Sequence, residues 1–239
     1  MIYKKFYQHT IKVNGATIDP PIDSTLKSVL KGGKIEHLTM VSWPEGSSLD
    51  FLKELDFIRS INIRLEGPID ISPINSLKNL EYFESSNNRV IGKIDFKNFT
   101  HLKYLNFGYS DQVFENFSSL KNIVELTVNN WPFEDVSRLS HLTKIKELKL
   151  DFAKKLKSLS GIEKLKHLDF LDIYSAPKLE DISDLQSNAK TLRRLGFELA
   201  NKVRDFHVLD RLKNIERFSI YRSAPLHSVQ FIKHLQNLK

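Results

Sequence analysis

Cysteine is absent from this chain of 239 residues. Disulfide bonds and thiolate metal sites therefore cannot hold the fold together. Long hydrophobic runs are absent too, because no stretch approaches the roughly eighteen uncharged apolar residues that a membrane-spanning helix needs. The N-terminal segment has Lys4 and Lys5 but no continuous apolar stretch behind them, which is not the pattern of a secretory signal peptide. We therefore expect a cytoplasmic protein.

Sequence motifs that carry catalytic or cofactor chemistry are also missing. Gly32 and Gly33 form an isolated pair with no Lys-Ser or Lys-Thr behind them, so there is no phosphate-binding loop of the P-loop type. No Gly-x-Ser-x-Gly segment marks a nucleophile elbow. The sequence therefore predicts a protein without a cofactor and without enzymatic activity.

Positive charge is in excess but is not segregated along the chain. The net charge of +7 suggests nucleic-acid binding as one possible function. Acidic residues interrupt the lysines, however, as in the run KELKLDFAKKLKSLSGIEKLKHLD. Such interspersed charge is typical of a solvated surface that keeps a protein soluble.

One pattern, apolar-x-x-apolar-x-apolar, recurs along most of the chain. We call each recurrence a coil, and we number positions from the first apolar residue of its pattern, the coil start. Nine coils that keep one register are a strong sign of a repeat protein. The coil starts, 21 to 24 residues apart, are Ile35, Ile58, Leu80, Leu102, Ile123, Ile145, Leu168, Leu192 and Ile215.

The segment from Val136 to Leu150, VSRLSHLTKIKELKL, shows what one coil does. Its apolar residues are first three apart, which suits a tight 3₁₀-like turn in which residues i and i+3 lie over each other. Leu148 and Leu150 are then two apart, so both point to one face of a strand. Each coil is therefore predicted to contain a turn followed by a short strand.

These coils resemble the leucine-rich repeats, in the short 22-residue form of bacterial internalins and of a eukaryotic phosphatase-regulatory relative. The segments IDISPINSLKNLEYF and EDVSRLSHLTKIKELKL are especially internalin-like. The resemblance implies an α/β fold, a right-handed solenoid with a parallel β-sheet on its concave face and 3₁₀ or short helical turns on its convex face.

The extent of the repeats divides the chain into three segments. Residues 1–34 are predicted to form an N-terminal cap, with a hairpin that turns at Asn14-Gly15 and a short helix that begins after Ser24. Residues 35–228 hold the nine repeats. Residues 229–239 form either a C-terminal capping turn or helix, or a truncated tenth repeat.

One departure from the family concerns asparagine. The family usually places Asn at position +8, where its amide satisfies main-chain groups in the turn, but here only Asn88 occupies that position. Trp43 and Trp131, at the same position, are predicted to be structural plugs. Without an asparagine ladder we expect irregular descending turns, because buried main-chain groups must find other partners.

The histidines and lysines give weaker signals. His101 and His167 share a position but lie three coils apart, about 14 Å at the usual strand spacing, which is too far for one metal ion. A row of lysines at position −2 is more typical of a solvated flank, although it also suits phosphates spaced along a nucleic acid. Its members are Lys78, Lys121, Lys166, Lys190 and Lys213.

Positions +2, +4, +6 and +7 point to the concave face or its rim in the fold that the resemblance implies. Aromatic residues recur there, and binding hot spots favour Tyr, Trp and Arg. We also expect an acidic centre and a basic C-terminal end on this face. The candidate partner-binding residues are Tyr82, Tyr104, Tyr109, Phe152, Phe170, Tyr174 and Tyr221, the acidic Glu125, Glu147, Asp151 and Asp172, and the basic Arg194, Arg217 and Arg222.

The sequence thus predicts a non-catalytic module that binds a protein partner, one with a basic feature, on its concave face. The breadth of the family suggests a bacterial regulator or a toxin-neutralising, immunity-type protein as a specific version. The alternative is nucleic-acid binding through the lysine-rich flank of the solenoid.

Overall fold

The computed structural model describes residues 2–7, 12–18, 24–32, 35–41, 48–64, 68–85, 90–111, 113–223 and 228–239. The chain forms two compact units, residues 1–122 and 123–239. None of the helices in these described ranges is long and apolar enough to cross a bilayer.

An antiparallel hairpin and a helix begin the first unit. Strand β1 (Ile2–Tyr7) pairs with β2 (Lys12–Ile18), and helix α1 (Ser24–Gly32) follows. The predicted hairpin turn at Asn14-Gly15 is wrong. Gly15 lies inside β2, where it is paired with Lys4 on one side and with His37 on the other, and these two ladders keep the segment extended.

Parallel strands build the rest of the sheet of the first unit, in the order β2-β3-β4-β6-β9. Leu38, Ile61, Phe83 and Leu105 are in register on successive strands, as the coil pattern predicts. Short strands pair separately at the turns, β5 with β7 and β8 with β10. The strands are β3 (His37–Val41), β4 (Ser60–Arg64), β5 (Ile69–Asp70), β6 (Tyr82–Ser85), β7 (Val90–Ile91), β8 (Ile94–Asp95), β9 (Tyr104–Gly108) and β10 (Phe114–Glu115).

The second unit repeats one five-residue parallel strand per coil. Its sheet runs β11-β12-β13-β14-β15, and Leu126, Leu148, Leu171, Leu195 and Phe218 are in register across it. The strands are β11 (Glu125–Asn129), β12 (Glu147–Asp151), β13 (Phe170–Tyr174), β14 (Arg194–Glu198) and β15 (Arg217–Tyr221).

A 3₁₀ turn lies between successive strands of both units, where apolar residues are spaced by three. The predicted fold, a parallel sheet with 3₁₀ turns opposite it, is confirmed. The turns are Asp50–Glu54, Ser72–Ser76, Phe96–Asn98 and Phe117–Ser119 in the first unit, and Ser137–Leu139, Ile162–Lys164, Ser183–Asn188, His207–Arg211 and Gln230–His234 in the second.

Many turns begin with a carboxylate that accepts a main-chain N–H two residues later. Asp181 accepts from Ser183 in this way, and Asp95 accepts from Lys97, each at 2.9 Å. Short side chains of this kind satisfy N–H groups that have no partner at the start of a turn. The bonds from Ser183 lower the pKa of Asp181, and those from Lys97 and then Asn116 lower the pKa of Asp95.

The descending turns of the second unit are regular, so the expected irregularity is wrong there. Position +7 adopts a left-handed conformation in each coil, with φ between 47° and 61°. This bend lets the +7 N–H bond to the next strand, as from Ser175 to the Glu198 carbonyl at 2.8 Å. Asn88, Trp43 and Glu66, at position +8, lie outside the described residues. The left-handed residues are Asn130, Phe152, Ser175, Leu199 and Arg222.

An asparagine ladder does exist, but at position −1. Each of these side-chain amides donates to a main-chain carbonyl of the preceding coil, at 2.8–3.0 Å. The pairs are Asn79 with Asp56, Asn122 with Thr100, Asn214 with Lys190, and Asn237 with Lys213. The recurrence of Asn directly before a coil start is the sequence signal that could have located this ladder.

Replacing Asn214 by alanine is expected to lower the free energy of unfolding by about 1 kcal/mol, because the Lys190 carbonyl loses its side-chain donor. Urea denaturation measures the change. Lys213→Ala, at an exposed neighbour, is the control and should stay within about 0.5 kcal/mol of the native chain. Equal losses in both variants would show that the ladder contributes nothing.

Candidate protein-binding face

In the first unit, the residues at positions +2 and +4 of the first parallel strands, which point away from the core, are buried. His37 and Ser60 are 0% exposed and Asn62 is 1% exposed, although all three lie at outward positions. Tyr82, a predicted partner-binding residue, would have to be accessible to a partner, but it is only 3% exposed. Its ring stacks on Tyr104 with 4.1 Å between centroids.

These buried outward residues form a polar network. His37 bonds through Nδ1 to the Ser60 hydroxyl and through Nε2 to the Thr39 hydroxyl at 2.9 Å. Burial, and then the charge of Arg64, lower the pKa of His37 to about 4, so the imidazole is neutral at pH 7. The Asn62 amide donates to Glu84 at 3.2 Å.

Tyr104 and Tyr109, the other candidates of the first unit, are half-buried. Tyr109 donates its hydroxyl proton to Asp111 at 2.6 Å, and its ring lies 6.3 Å from that of Phe107. The aromatic candidates of this unit are therefore engaged within the chain, two of them with each other.

The sheet face of the second unit is open. Its outward side chains are half-buried or exposed, except Gly196, because the pattern of buried and accessible residues alternates along each strand. We define this sheet face as the residues at +2, +4, +6 and +7 of its five coils. Its predicted site residues are Glu125, Glu147, Asp151, Phe152, Phe170, Asp172, Tyr174, Arg194, Arg217, Tyr221 and Arg222.

Arg194 organises one part of the sheet face. Its guanidinium donates to Glu147 at 2.8 Å and to Asp169 at 2.8 and 3.2 Å. The same group lies over the Phe170 ring, 4.5 Å from the centroid. Burial alone would lower the pKa of Arg194, but the hydrogen bonds to Glu147 and Asp169 outweigh it and raise the pKa.

Arg194 therefore does not belong to a separate basic end, and that part of the sequence prediction is wrong. Its long side chain reaches across strand β13 and neutralises Glu147 in the acidic centre. Arg217 and Arg222 remain exposed at the other end of the face, where the Arg222 guanidinium lies 5.1 Å from the Tyr221 ring centroid.

Asp151 and Asp172 keep negative charge on the face. They lie on neighbouring strands, because Asp151 is opposite Tyr174 and Asp172 is opposite Lys149. Burial raises the pKa of Asp151, and the charge of Asp172 raises it further, while Lys149 opposes both. Neither carboxylate takes part in an ion pair with any residue in the described ranges.

Gly196 leaves room for the side chain of Asp172. The glycine lies opposite Asp172 on strand β14, and a Cβ atom added there would be 2.3 Å from the Asp172 Oδ1 atom. The carboxylate therefore occupies space that any larger residue would fill. A glycine inside a strand often marks such a close approach.

Two aromatic side chains stand at the end of the same strands. Phe152 packs edge-on against Tyr174, with 5.1 Å between centroids and 82° between ring planes. The Phe152 side chain is 42% exposed, and Tyr221, two strands beyond Tyr174, is 53% exposed. Apolar area of this kind, next to unpaired carboxylates, is what a binding surface needs.

The flank of the sheet carries alternating charge at position +1. In the second unit Arg193 lies 3.8 Å from Asp169 and 3.9 Å from Glu216, and Lys239 bonds Glu216 at 2.6 Å. In the first unit Arg59 bonds Glu81, which also pairs with Lys103 at 2.6 Å. Opposite charges on neighbouring strands attract each other, so the charges of these residues are neutralised within the chain.

The lysine row at −2 lies beside these pairs. Lys166, Lys190 and Lys213 are exposed, and Lys78 donates to the side-chain oxygen Oδ1 of Asn98 at 2.5 Å. Within the described ranges, no group of three or more His, Asp or Glu side chains is arranged to hold a metal ion.

No protein-family profile and no curated protein matches the chain by sequence. Solved structures are similar to it in fold. An internalin (inlF) from Listeria monocytogenes is 21% identical, with a TM-score of 0.59 over 89% of this chain and 67% of its own. The leucine-rich-repeat protein LIC12759 of Leptospira interrogans is 18% identical, with a TM-score of 0.58 over 89% and 56%.

The mouse RP105/MD-1 complex gives a TM-score of 0.60 at 16% identity, over 93% of this chain and 42% of that one. This chain thus spans about two fifths to two thirds of the length of these structures. These TM-scores, together with the repeated turns and parallel strands, show the fold. The chain has the fold of the leucine-rich-repeat proteins.

Proposed function

We propose that the chain is a non-catalytic, cytoplasmic protein-interaction module that binds a partner through the sheet face of its second unit. The observation that carries this proposal is the exposure of Phe152 and Tyr221 on a face that also holds unpaired carboxylates. The fold supports interaction in general, since the similar structures include the RP105/MD-1 complex.

The composition of the sheet face favours a protein partner that has a basic feature. Asp151 and Asp172 offer negative charge, while Phe152, Tyr174 and Tyr221 offer rigid aromatic area with few rotatable bonds. A role as a bacterial regulator, or as a toxin-neutralising protein of the immunity type, is the more specific version of this proposal. It rests on the breadth of the repeat family.

Affinity capture from extracts of the source cell tests the proposal. The face variant combines Phe152→Asn, Arg217→Ser, Tyr221→Ser and Arg222→Asn, where asparagine suits the left-handed backbone at two positions. Hot-spot residues typically contribute more than 1 kcal/mol each, so we expect capture to fall at least about tenfold. The partner should then bind the native chain directly when both are purified.

A matched control changes two charges and two exposed apolar residues outside the face: Lys154→Ser, Lys178→Ser, Val229→Ser and Ile232→Ser. It should capture the partner like the native chain. Circular dichroism must show that both variants keep the native fold. Equal capture by the face variant and the native chain would contradict the proposal.

Nucleic-acid binding through the lysine flank is the alternative, supported by the exposure of Lys166, Lys190 and Lys213. It requires an affinity that falls steeply with salt and that is lost when these lysines are changed to glutamine. The neighbouring row of alternating charge weakens this alternative, because Arg193 and Lys239 are already paired with carboxylates.

A further inference from the structure

Arg194 shows how this sheet face holds a guanidinium group. Two carboxylates, Glu147 and Asp169, accept its hydrogen bonds at 2.8 Å, and the Phe170 ring lies beneath it at 4.5 Å. Hydrogen bonds between charged groups and contact with an aromatic face are the two interactions that suit arginine. The chain thus fills one such site with its own residue.

A second set of the same groups lies beside it without a cation. Asp151 and Asp172 supply two carboxylates, and Phe152 and Tyr174 supply two aromatic rings. Lys149, opposite Asp172 on the neighbouring strand, lies over Phe170, with its ammonium 5.3 Å from the ring centroid, and it forms no ion pair with the described residues. Lys149 therefore offsets the charge of this second set only in part, since burial and then the charge of Asp172 still raise the pKa of Asp151.

The local backbone keeps this second set in place. Phe152 has a φ of 53°, the left-handed conformation that all +7 residues of this unit share, and its ring lies edge-on against Tyr174. Gly196 leaves the space that the Asp172 carboxylate occupies. A glycine in mid-strand often marks the close approach of another group, which here is the Asp172 carboxylate.

We propose that Asp151, Asp172, Phe152 and Tyr174 form an arginine-binding site that receives a guanidinium side chain of the protein partner. The proposal rests on the proposed function and specifies the basic feature of that partner. The two carboxylates accept the guanidinium N–H groups, and the exposed part of the Phe152 ring covers one side of the bound group.

NMR titration of the full ¹⁵N-labelled chain tests this site without the partner. The probe is the blocked tripeptide Gly-Arg-Gly, compared with Gly-citrulline-Gly, which keeps the shape of arginine but has no charge, and with Gly-Lys-Gly. We expect the arginine peptide to shift the amide signals of residues 151–152 and 172–174. The citrulline and lysine peptides should bind at least about tenfold and threefold more weakly, because both lack a charged planar fork.

Variants show whether these groups are responsible. Asp151→Asn with Asp172→Asn should weaken the arginine peptide at least about tenfold. Gly196→Ala should also weaken it, because the new Cβ displaces the Asp172 carboxylate without a change of charge. The matched control, Glu134→Gln with Glu180→Gln, removes two exposed carboxylates elsewhere in the unit and should leave the binding unchanged.

Binding of the citrulline or lysine peptide as tight as that of arginine, shifts elsewhere, or no shifts at all would each overturn the site. Its failure is distinguishable from failure of the proposed function. If the arginine peptide does not bind but the face variant still loses the partner, the arginine site is wrong and the binding face remains.

Discussion

Replacing Trp131 by alanine is expected to lower the free energy of unfolding by about 3–5 kcal/mol, the usual cost of removing a large buried aromatic side chain. Trp131 is 2% exposed, in the turn that follows strand β11. Its indole N–H donates to the Asp135 carbonyl at 2.9 Å, and its ring packs edge-on against Phe133 with 5.0 Å between centroids. Alanine would leave both a cavity and an unpaired carbonyl.

Urea denaturation followed by circular dichroism measures this loss. Trp131→Phe is the matched variant, because it keeps a ring in the space but loses the hydrogen bond to Asp135, and we expect it to cost about 1–2 kcal/mol. The prediction that Trp131 is a structural plug follows from its place in the turn. A loss below 1 kcal/mol for alanine would show that the turn closes without the indole.

The sequence located the core and the sheet because both depend on spacing alone. Leu148 and Leu150 had to share a face, and Leu171 had to fall beside Leu148, once the coils kept a constant register. The family's asparagine position, +8, does not hold the ladder of this chain, because Asn214 and Asn237 lie at −1. The sequence alone contains this signal, since Asn recurs at one fixed position of the coil.

The charge pattern of the sheet face could not be predicted from the residue types at each coil position. Arg194 and Glu147 are 47 residues apart, and the guanidinium reaches its partner by crossing strand β13 over the Phe170 ring. The sequence shows which residues lie side by side at one coil position. It does not show which long side chain crosses a neighbouring strand. The burial of His37 was equally hidden, because outward positions on a sheet are ordinarily open to solvent.

The buried state of His37 makes the stability of the protein depend on pH. An unfolded chain protonates histidine near the ordinary pKa of 6.5, whereas the folded chain holds the pKa of His37 at about 4. Between these values the unfolded state binds the proton and the folded state does not. The stabilising contribution is therefore complete above pH 6.5 and is lost as the pH falls towards 4.

The loss at pH 4 should be about 3 kcal/mol relative to pH 7, from a difference of roughly 2.5 pKa units. Carboxylates such as Asp181, whose pKa values lie below the usual range, also lose stabilising charge in acid, so the native chain alone cannot isolate the histidine. His37→Gln removes the titrating group but keeps hydrogen-bonding capacity towards Ser60 and Thr39. Urea denaturation at both pH values should therefore show a fall for the native chain that exceeds the fall for the glutamine variant by about 3 kcal/mol. Parallel falls in the two proteins would mean that the imidazole is protonated in the folded state, which would require an anionic partner or water beside it.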